Sequence, residues 1–131
     1  MVQSTNDYHD QLSGVRVLVV EDDPLLAMDL EATLADAGAV IVSLCQTLDE
    51  AMLRADVADF AVAVLDFGLG SDTVSPVARR LANRGVPFVF YTGKSRHELD
   101  LADWRDCSIV QKPAPPRVLV SAVRTVLRVD S

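Results

Sequence analysis

The 131-residue sequence is poor in basic residues and has no long hydrophobic run. Its longest uninterrupted apolar run is six residues, whereas a membrane-spanning helix needs roughly 20, so no such helix is expected. The net charge of −7 disfavours a nucleic-acid surface, because such surfaces use Lys and Arg to neutralise phosphates. Residues 1–7 lack the basic start and apolar stretch of a secretion signal, so we expect a cytoplasmic protein.

Cysteine is also scarce. Cys45 and Cys107 form neither a CxxC pair nor a Cys/His pattern, which disfavours a zinc site and a disulfide framework. We expect both to be small, buried or half-buried residues.

The length predicts one domain. Residues 1–13 are polar and without pattern, so we predict a flexible N-terminal leader there and the folded domain over 14–131.

Apolar runs alternate with helical patterns along this domain. Runs typical of buried strands lie at 15–20, 40–44, 60–65, 87–91 and 108–111. Helical patterns lie at 24–37, 48–56, 74–83 and 116–128, with a short or irregular fourth helix expected at 96–102. Strands that alternate with helices indicate a five-stranded parallel sheet with helices on both faces. We predict a doubly wound α/β fold with the flavodoxin-like strand order 2-1-3-4-5.

Polar residues follow four of these strands, at the edge where open parallel sheets bind ligands. They are Glu21, Asp22 and Asp23 after the first strand, Asp66 after the third, Thr92 after the fourth and Lys112 after the fifth. Carboxylates only 4 Å apart repel by about 1–4 kcal/mol per pair, and a hard divalent cation such as Mg²⁺ relieves that repulsion. A carboxylate nucleophile beside a metal, a hydroxyl and a lysine predicts phosphoryl transfer.

The same residues resemble a known family. Val17–Pro24, Leu65-Asp66, Tyr91-Thr92-Gly93 and Lys112-Pro113 are similar to the motifs of the response-regulator receiver domain of two-component signalling. The resemblance extends from residue 15 to about 128, and the arrangement with Pro87–Gly93 resembles a divergent subgroup of stand-alone, single-domain receivers.

The resemblance implies a metal site made of Glu21, Asp22, Asp66 and Gly68. Asp22 and Asp66 would bind Mg²⁺ directly, Glu21 through water, and Gly68 through its carbonyl. Asp23 is instead expected to start the first helix beside Pro24. No other cofactor is implied.

The resemblance also implies the chemistry. Asp66 would accept a phosphoryl group from a histidine kinase, Thr92 would be the switch hydroxyl, and Lys112 would pair with the phosphoryl group. The protein would not be a conventional enzyme, since it would catalyse only its own phosphorylation and slow dephosphorylation.

The signal would leave by contact with a downstream protein or by phosphorelay to a phosphotransfer partner, with no direct nucleic-acid contact. A further hypothesis is a homodimer through the face formed by the fourth helix, the fifth strand and the last helix. The charges expected to pair across it are Arg117, Arg124, Arg128, Asp100, Asp103 and Asp106. The kinase, the target and whether the chain is a fragment of a longer hybrid protein do not follow from the sequence.

Two departures from the family pattern keep alternatives open. Phe67–Ser71 replaces the usual Met-Pro loop, and Ile109 stands where many receivers have an aromatic residue on the fifth strand. A receiver-like docking module that works without phosphorylation is therefore the alternative. A flavodoxin-like cofactor carrier comes third, because acids rather than a phosphate-binding loop follow the first strand.

Overall fold

The computed structural model describes residues 8–57, 59–70, 72–93, 104 and 106–129. Its strands are β1 (Arg16–Val20), β2 (Val40–Cys45), β3 (Val62–Leu65), β4 (Gly68–Leu69), β5 (Asp72–Thr73), β6 (Phe88–Thr92) and β7 (Ser108–Gln111). Its helices are α1 (Pro24–Asp36), α2 (Leu48–Ala55), α3 (Ser75–Asn83) and α4 (Pro116–Val129). Each of these helices and the five long strands was predicted, with differences only at their ends. The helix expected at 96–102 lies outside the described residues.

Five strands form one parallel sheet in the order β2-β1-β3-β6-β7. The central strand β1 pairs with β2 on one side and β3 on the other, so that Val20 lies beside both Cys45 and Leu65. Counted without the short β4 and β5, this is the predicted order 2-1-3-4-5, and the doubly wound sheet is confirmed. The carboxyl ends of β1 and β3 are neighbours, which places the switch in winding direction between them.

Alternate residues of β1 enter two separate cores. Leu18 and Val20 pack with residues of α2 and α3, whereas Val17 and Val19 pack with residues of α1 and α4. All four side chains are fully buried. Because successive side chains of a strand point to opposite faces, a strand covered on both faces needs the uninterrupted apolar run that the sequence shows.

The start of α1 determines where the acidic run of residues 21–23 is placed. Asp23 Oδ1 accepts hydrogen bonds from the backbone N–H groups of Leu25 at 2.9 Å and Leu26 at 3.4 Å. This is the N-cap arrangement, with Pro24 in the first helical turn. The expectation that Asp23 starts the helix is confirmed, and Glu21 and Asp22 are left in the connection between β1 and α1.

The segment after β3 differs from the prediction. Phe67–Ser71 was interpreted as a loop, but β4 and β5 pair antiparallel there, with Gly68 opposite Thr73 and Leu69 opposite Asp72. Leu69 is buried, and Gly70 adopts a positive φ of 64° in the turn. The burial of one apolar side chain and a glycine at the turn together favour a hairpin over an open loop.

The predicted leader is wrong for the part that the structure describes. Leu12 is 1% exposed and belongs to the core between the sheet, α1 and α4. Its N–H donates to the carbonyl of Ala37 at 2.8 Å, and Gly14 N–H donates to Gly38 at 2.9 Å. Residues 8–13 therefore pack on the domain because Leu12 has an apolar site to fill, while residues 1–7 lie outside the described part of the chain.

The two cysteines do not form a disulfide. Cys45 is buried at the end of the edge strand β2, and Cys107 is half-buried just before the opposite edge strand β7, as expected. Within the described residues, no helix is long and apolar enough to cross a membrane.

Candidate functional site

The predicted site residues directly follow the strands, and backbone hydrogen bonds hold them in place. Asp66 N–H donates to the carbonyl of Val20 at 2.8 Å, and Glu21 N–H donates to that of Cys45 at 2.9 Å. Lys112 N–H donates to the carbonyl of Thr92 at 2.8 Å. Each bond extends the ladder one residue beyond a strand, so the side chains that follow are positioned by the sheet.

Lys112 joins two of the carboxylates. Its Nζ donates to Glu21 Oε1 and lies 3.3 Å from Asp66 Oδ2. The Glu21 side chain is 1% exposed, and those of Lys112 and Asp66 are each 13% exposed. Because all three groups are largely removed from water, these contacts are screened much less than surface ion pairs.

Asp22 completes an acidic cluster. Glu21, Asp22 and Asp66 each offer a carboxylate oxygen, and these oxygens lie within 4.8 Å of one another. Asp22 is exposed, so the cluster opens to solvent on its side. When all three acids are ionised, the Lys112 ammonium leaves two negative charges unbalanced. An all-oxygen donor set with that charge fits a hard divalent cation.

The pKa values reflect this crowding. The pKa of Glu21 is raised to about 7, because burial and the adjacent Asp66 raise it by more than the hydrogen bond from Lys112 lowers it. Burial lowers the pKa of Lys112, but its hydrogen bond to Glu21 and the charges of Asp66 and Glu21 outweigh burial and leave that pKa raised. Lys112 is therefore a cation at neutral pH.

Thr92 and Gly68 lie at the same end of the sheet. Thr92 is 2% exposed at the end of β6, the strand between β3 and β7. Gly68 is half-buried in β4, two residues after Asp66. The fold thus brings strand ends that are distant in sequence to one edge.

The sequence interpretation missed three contacts at the site. The backbone N–H of Gly70 donates to Asp22 Oδ2 at 3.0 Å. Lys112 Nζ lies 5.6 Å from the centre of the Tyr91 ring, and the Tyr91 hydroxyl accepts from Ala114 N–H at 3.4 Å. Tyr91 was assigned to a strand and a family motif and Gly70 to a loop, but neither assignment indicates a contact with Lys112 or Asp22.

Comparison with known proteins agrees with this fold and site. No family model matches the chain. The solution structure of SdrG from Sphingomonas melonis Fr1 is 36% identical, with a TM-score of 0.77, over 87% of this chain and 97% of that one. The crystal structure of a response regulator receiver protein from Sinorhizobium medicae WSM419 is 25% identical, with a TM-score of 0.80, over 92% and 99% of the two chains.

Two curated proteins are also similar. The phyllosphere-induced regulator PhyR of Methylorubrum extorquens is 30% identical over 84% of this chain and 42% of its own length. The sensor protein TorS of Escherichia coli (strain K12) is 31% identical over 83% of this chain and 12% of its own length. The chain thus spans less than half the length of either protein.

A doubly wound sheet with acids after β1 and β3 and a lysine after β7 defines the class of receiver domains. The chain belongs to the response-regulator receiver family. It is 36% identical to SdrG over almost all of that chain, and it shares its fold with a response regulator receiver protein over 99% of that chain.

Proposed function

We propose that this receiver domain accepts a phosphoryl group from a histidine kinase on Asp66 in a Mg²⁺-dependent reaction. The observation that carries the proposal is the contact of Lys112 Nζ with both Asp66 and Glu21 beside the exposed Asp22. That arrangement combines a partly exposed nucleophile, a fixed cation and a set of carboxylate oxygens that can bind a metal. A cytoplasmic location is part of the proposal.

The acidic cluster would hold the metal. Asp22 and Asp66 would bind it directly, Glu21 through water and Gly68 through its carbonyl. Bound Mg²⁺ supplies charge that offsets the phosphoryl oxygens and the clustered carboxylates. Lys112 alone cannot do this, because its single positive charge cannot offset the three carboxylates of the cluster.

The transfer needs no general base, because an ionised carboxylate is already a nucleophile. A bond forms between an Asp66 oxygen and phosphorus while the bond from phosphorus to the donor histidine nitrogen breaks, and that nitrogen keeps the electron pair. Lys112 and the Thr92 hydroxyl would donate hydrogen bonds to the phosphoryl oxygens. Slow attack by water on phosphorus would later return the free carboxylate.

Similarity to SdrG supports the proposal, since a BeF3-activated conformation of that protein has been solved and this chain is 34% identical to it. The test is incubation with acetyl phosphate and Mg²⁺ followed by intact mass measurement. One added phosphoryl group is expected on the wild-type chain and none on Asp66→Asn. Asp29→Asn, which changes an exposed acid on α1, is the matched control and should be phosphorylated normally. Phosphorylation of Asp66→Asn, or of the wild type without divalent cation, would contradict the proposal.

Output would occur through a downstream protein or a phosphotransfer partner. Homodimerisation through the face of β7, α4 and the helix expected at 96–102 is one route. Arg124 of that face donates to Gln11 Oε1 at 2.8 Å within the same chain, so its charge already has an internal partner. Light scattering with and without BeF3 tests the dimer. A monomer under both conditions would remove the dimer and leave phosphoryl transfer untouched.

The second candidate is a docking module that works without phosphorylation. The half-buried Ile109, which packs against the core at a position where many receivers have an aromatic residue, favours it. A wild-type chain that stays unphosphorylated yet retains a partner would support this candidate.

A further inference from the structure

The hairpin formed by β4 and β5 touches the acidic cluster through one backbone group. Gly70 N–H donates to Asp22 Oδ2 at 3.0 Å, across 48 residues of sequence. Asp22 is the exposed member of the cluster, so it lacks the packing that holds a buried side chain in one rotamer. This hydrogen bond therefore restrains a carboxylate that solvent would otherwise leave free to rotate.

The turn that presents Gly70 is itself fixed on the core. Phe67, just before β4, and Leu69, within β4, are both buried, and the Phe67 ring packs edge-on against Phe90 with centroids 5.5 Å apart. Val74 N–H donates to the carbonyl of Phe67 at 2.8 Å and closes the base of the hairpin. Because the hairpin is held on the core, the Gly70 N–H can fix the orientation of the Asp22 carboxylate. On a mobile loop, the N–H would instead move with the carboxylate and would not orient it.

Acceptance of one N–H leaves Asp22 able to bind a cation. An ionised carboxylate has about four acceptor positions on its two oxygens. We propose that the Gly70 amide is a positioning group that holds Asp22 for the divalent cation. This inference rests on the proposed function and adds to it a role for the hairpin that replaces the usual loop.

A purely structural role is the competing explanation, in which the bond only ties the hairpin to the domain. Thermodynamic reciprocity separates the two. If the Gly70–Asp22 contact favours cation binding, the bound cation must favour that contact by the same free energy. If the hydrogen bond only holds the hairpin on the domain, cation binding should not change the strength of the Gly70–Asp22 contact.

The first experiment uses the wild-type chain and needs no substitution at Gly70. Hydrogen–deuterium exchange of the Gly70 amide is followed by NMR with and without Mg²⁺. We expect Mg²⁺ to slow this exchange and Asp22→Ala to speed it by about tenfold or more, since the amide loses its acceptor. Asp23→Ala, which removes the α1 cap instead, is the matched control and should leave Gly70 exchange unchanged. The inference would be overturned if neither Mg²⁺ nor Asp22→Ala changed the exchange rate of the Gly70 amide.

The second experiment removes the donor. A Cβ built on Gly70 has no atom within 4 Å, and the φ of 64° is the only constraint on a side chain there. Gly70→Asn suits this backbone conformation and keeps the N–H. Gly70→Pro removes the N–H and, because its ring fixes φ at about −65°, also turns the backbone of the hairpin away from Asp22. By calorimetry, Gly70→Pro should bind Mg²⁺ about tenfold more weakly, as is usual when a group that orients a ligand is lost, and Gly70→Asn should match the wild type.

The outcomes distinguish the two proposals. Wild-type protein that binds no Mg²⁺ contradicts the proposed function itself. Wild-type protein that binds Mg²⁺ while Gly70→Pro binds equally well overturns only the positioning role. Where Gly70→Pro does not fold, the effect of Mg²⁺ on wild-type Gly70 exchange decides.

Discussion

Lys112 Nζ lies 3.3 Å from Asp66 Oδ2, although 46 residues separate them in sequence, and the same nitrogen contacts the buried Glu21. The pair combines the candidate nucleophile, Asp66, with the cation proposed to bind the oxygens of the phosphoryl group that Asp66 would accept. It also gives the domain a buried charge network whose members depend on one another.

The first prediction concerns that dependence. Lys112→Met leaves the Glu21 carboxylate, 1% exposed, without its cation, and the loss should cost about 1–3 kcal/mol of unfolding free energy. Protonation of Glu21 limits the cost, since its pKa is already raised. Urea unfolding followed by the fluorescence of Trp104 at neutral pH measures it.

The matched control is the double variant Glu21→Gln/Lys112→Met. Removal of both charges should restore most of the stability, because replacing both partners of a buried pair costs less than removing one. A double variant as unstable as Lys112→Met would show that the lysine stem, rather than its charge, stabilises the site.

The second prediction is a pH dependence. Burial raises the pKa of the Cys45 thiol from 9.0 to about 11, and the charge of Glu50 adds to the effect. Only the thiolate reacts, so at pH 8 about a thousandth of Cys45 is reactive in the folded chain. Iodoacetamide should therefore spare Cys45 in native protein and modify it in guanidinium, as read by peptide mass.

The raised pKa of Cys45 also makes the unfolding free energy depend on pH. The unfolded thiol loses its proton near pH 9 and the folded one near pH 11, so the unfolding free energy should fall as the pH rises between these values. Cys45→Ala should show a shallower fall over that range. Equal slopes for the two chains would refute the assignment.

The third prediction tests the packing of residues 8–13. Leu12→Ala removes a side chain that is 1% exposed in a core and should cost about 2–4 kcal/mol. Leu25→Ala, at a leucine that is 76% exposed, is the control and should change stability by less than about 0.5 kcal/mol. Urea midpoints of the two variants decide; similar values would mean that residues 8–13 behave as a loose leader.

The fourth prediction compares two glycines with positive φ. A Cβ on Gly38 would lie 2.8 Å from the backbone Cα of Ser13, whereas one on Gly85 meets nothing within 4 Å. Both substitutions to alanine strain the backbone by about 1 kcal/mol, but Gly38→Ala must also displace the segment at Ser13. Its thermal midpoint should therefore be clearly lower than that of Gly85→Ala, and equal midpoints would argue against the close approach.

Much of the fold follows from local patterns. The continuous apolar residues of β1 and β3 are those of strands covered on both faces, and Asp23-Pro24 predicts a helix start. Strands alternating with helices restrict the sheet to few topologies, since crossovers are right-handed. That Glu21, Asp66 and Lys112 lie at the same edge of the sheet could therefore be predicted from the sequence.

What the sequence could not determine depends on long-range packing. The burial of Leu12 depends on a space between the sheet, α1 and α4 that exists only in the folded domain. The hydrogen bond from Gly70 to Asp22 depends on how the hairpin sits over the sheet edge, because Gly70 alone indicates only a turn.

The sequence by itself determined the order of the elements and which residues stand at the strand ends, since periodicity and capping are properties of neighbouring residues. Only the tertiary structure decided that Lys112 pairs with both Glu21 and Asp66 and that Asp22 is restrained by Gly70. The physical reason is that these contacts join segments that are far apart in sequence. Their geometry depends on the register of the sheet and on the position of the hairpin above the sheet edge.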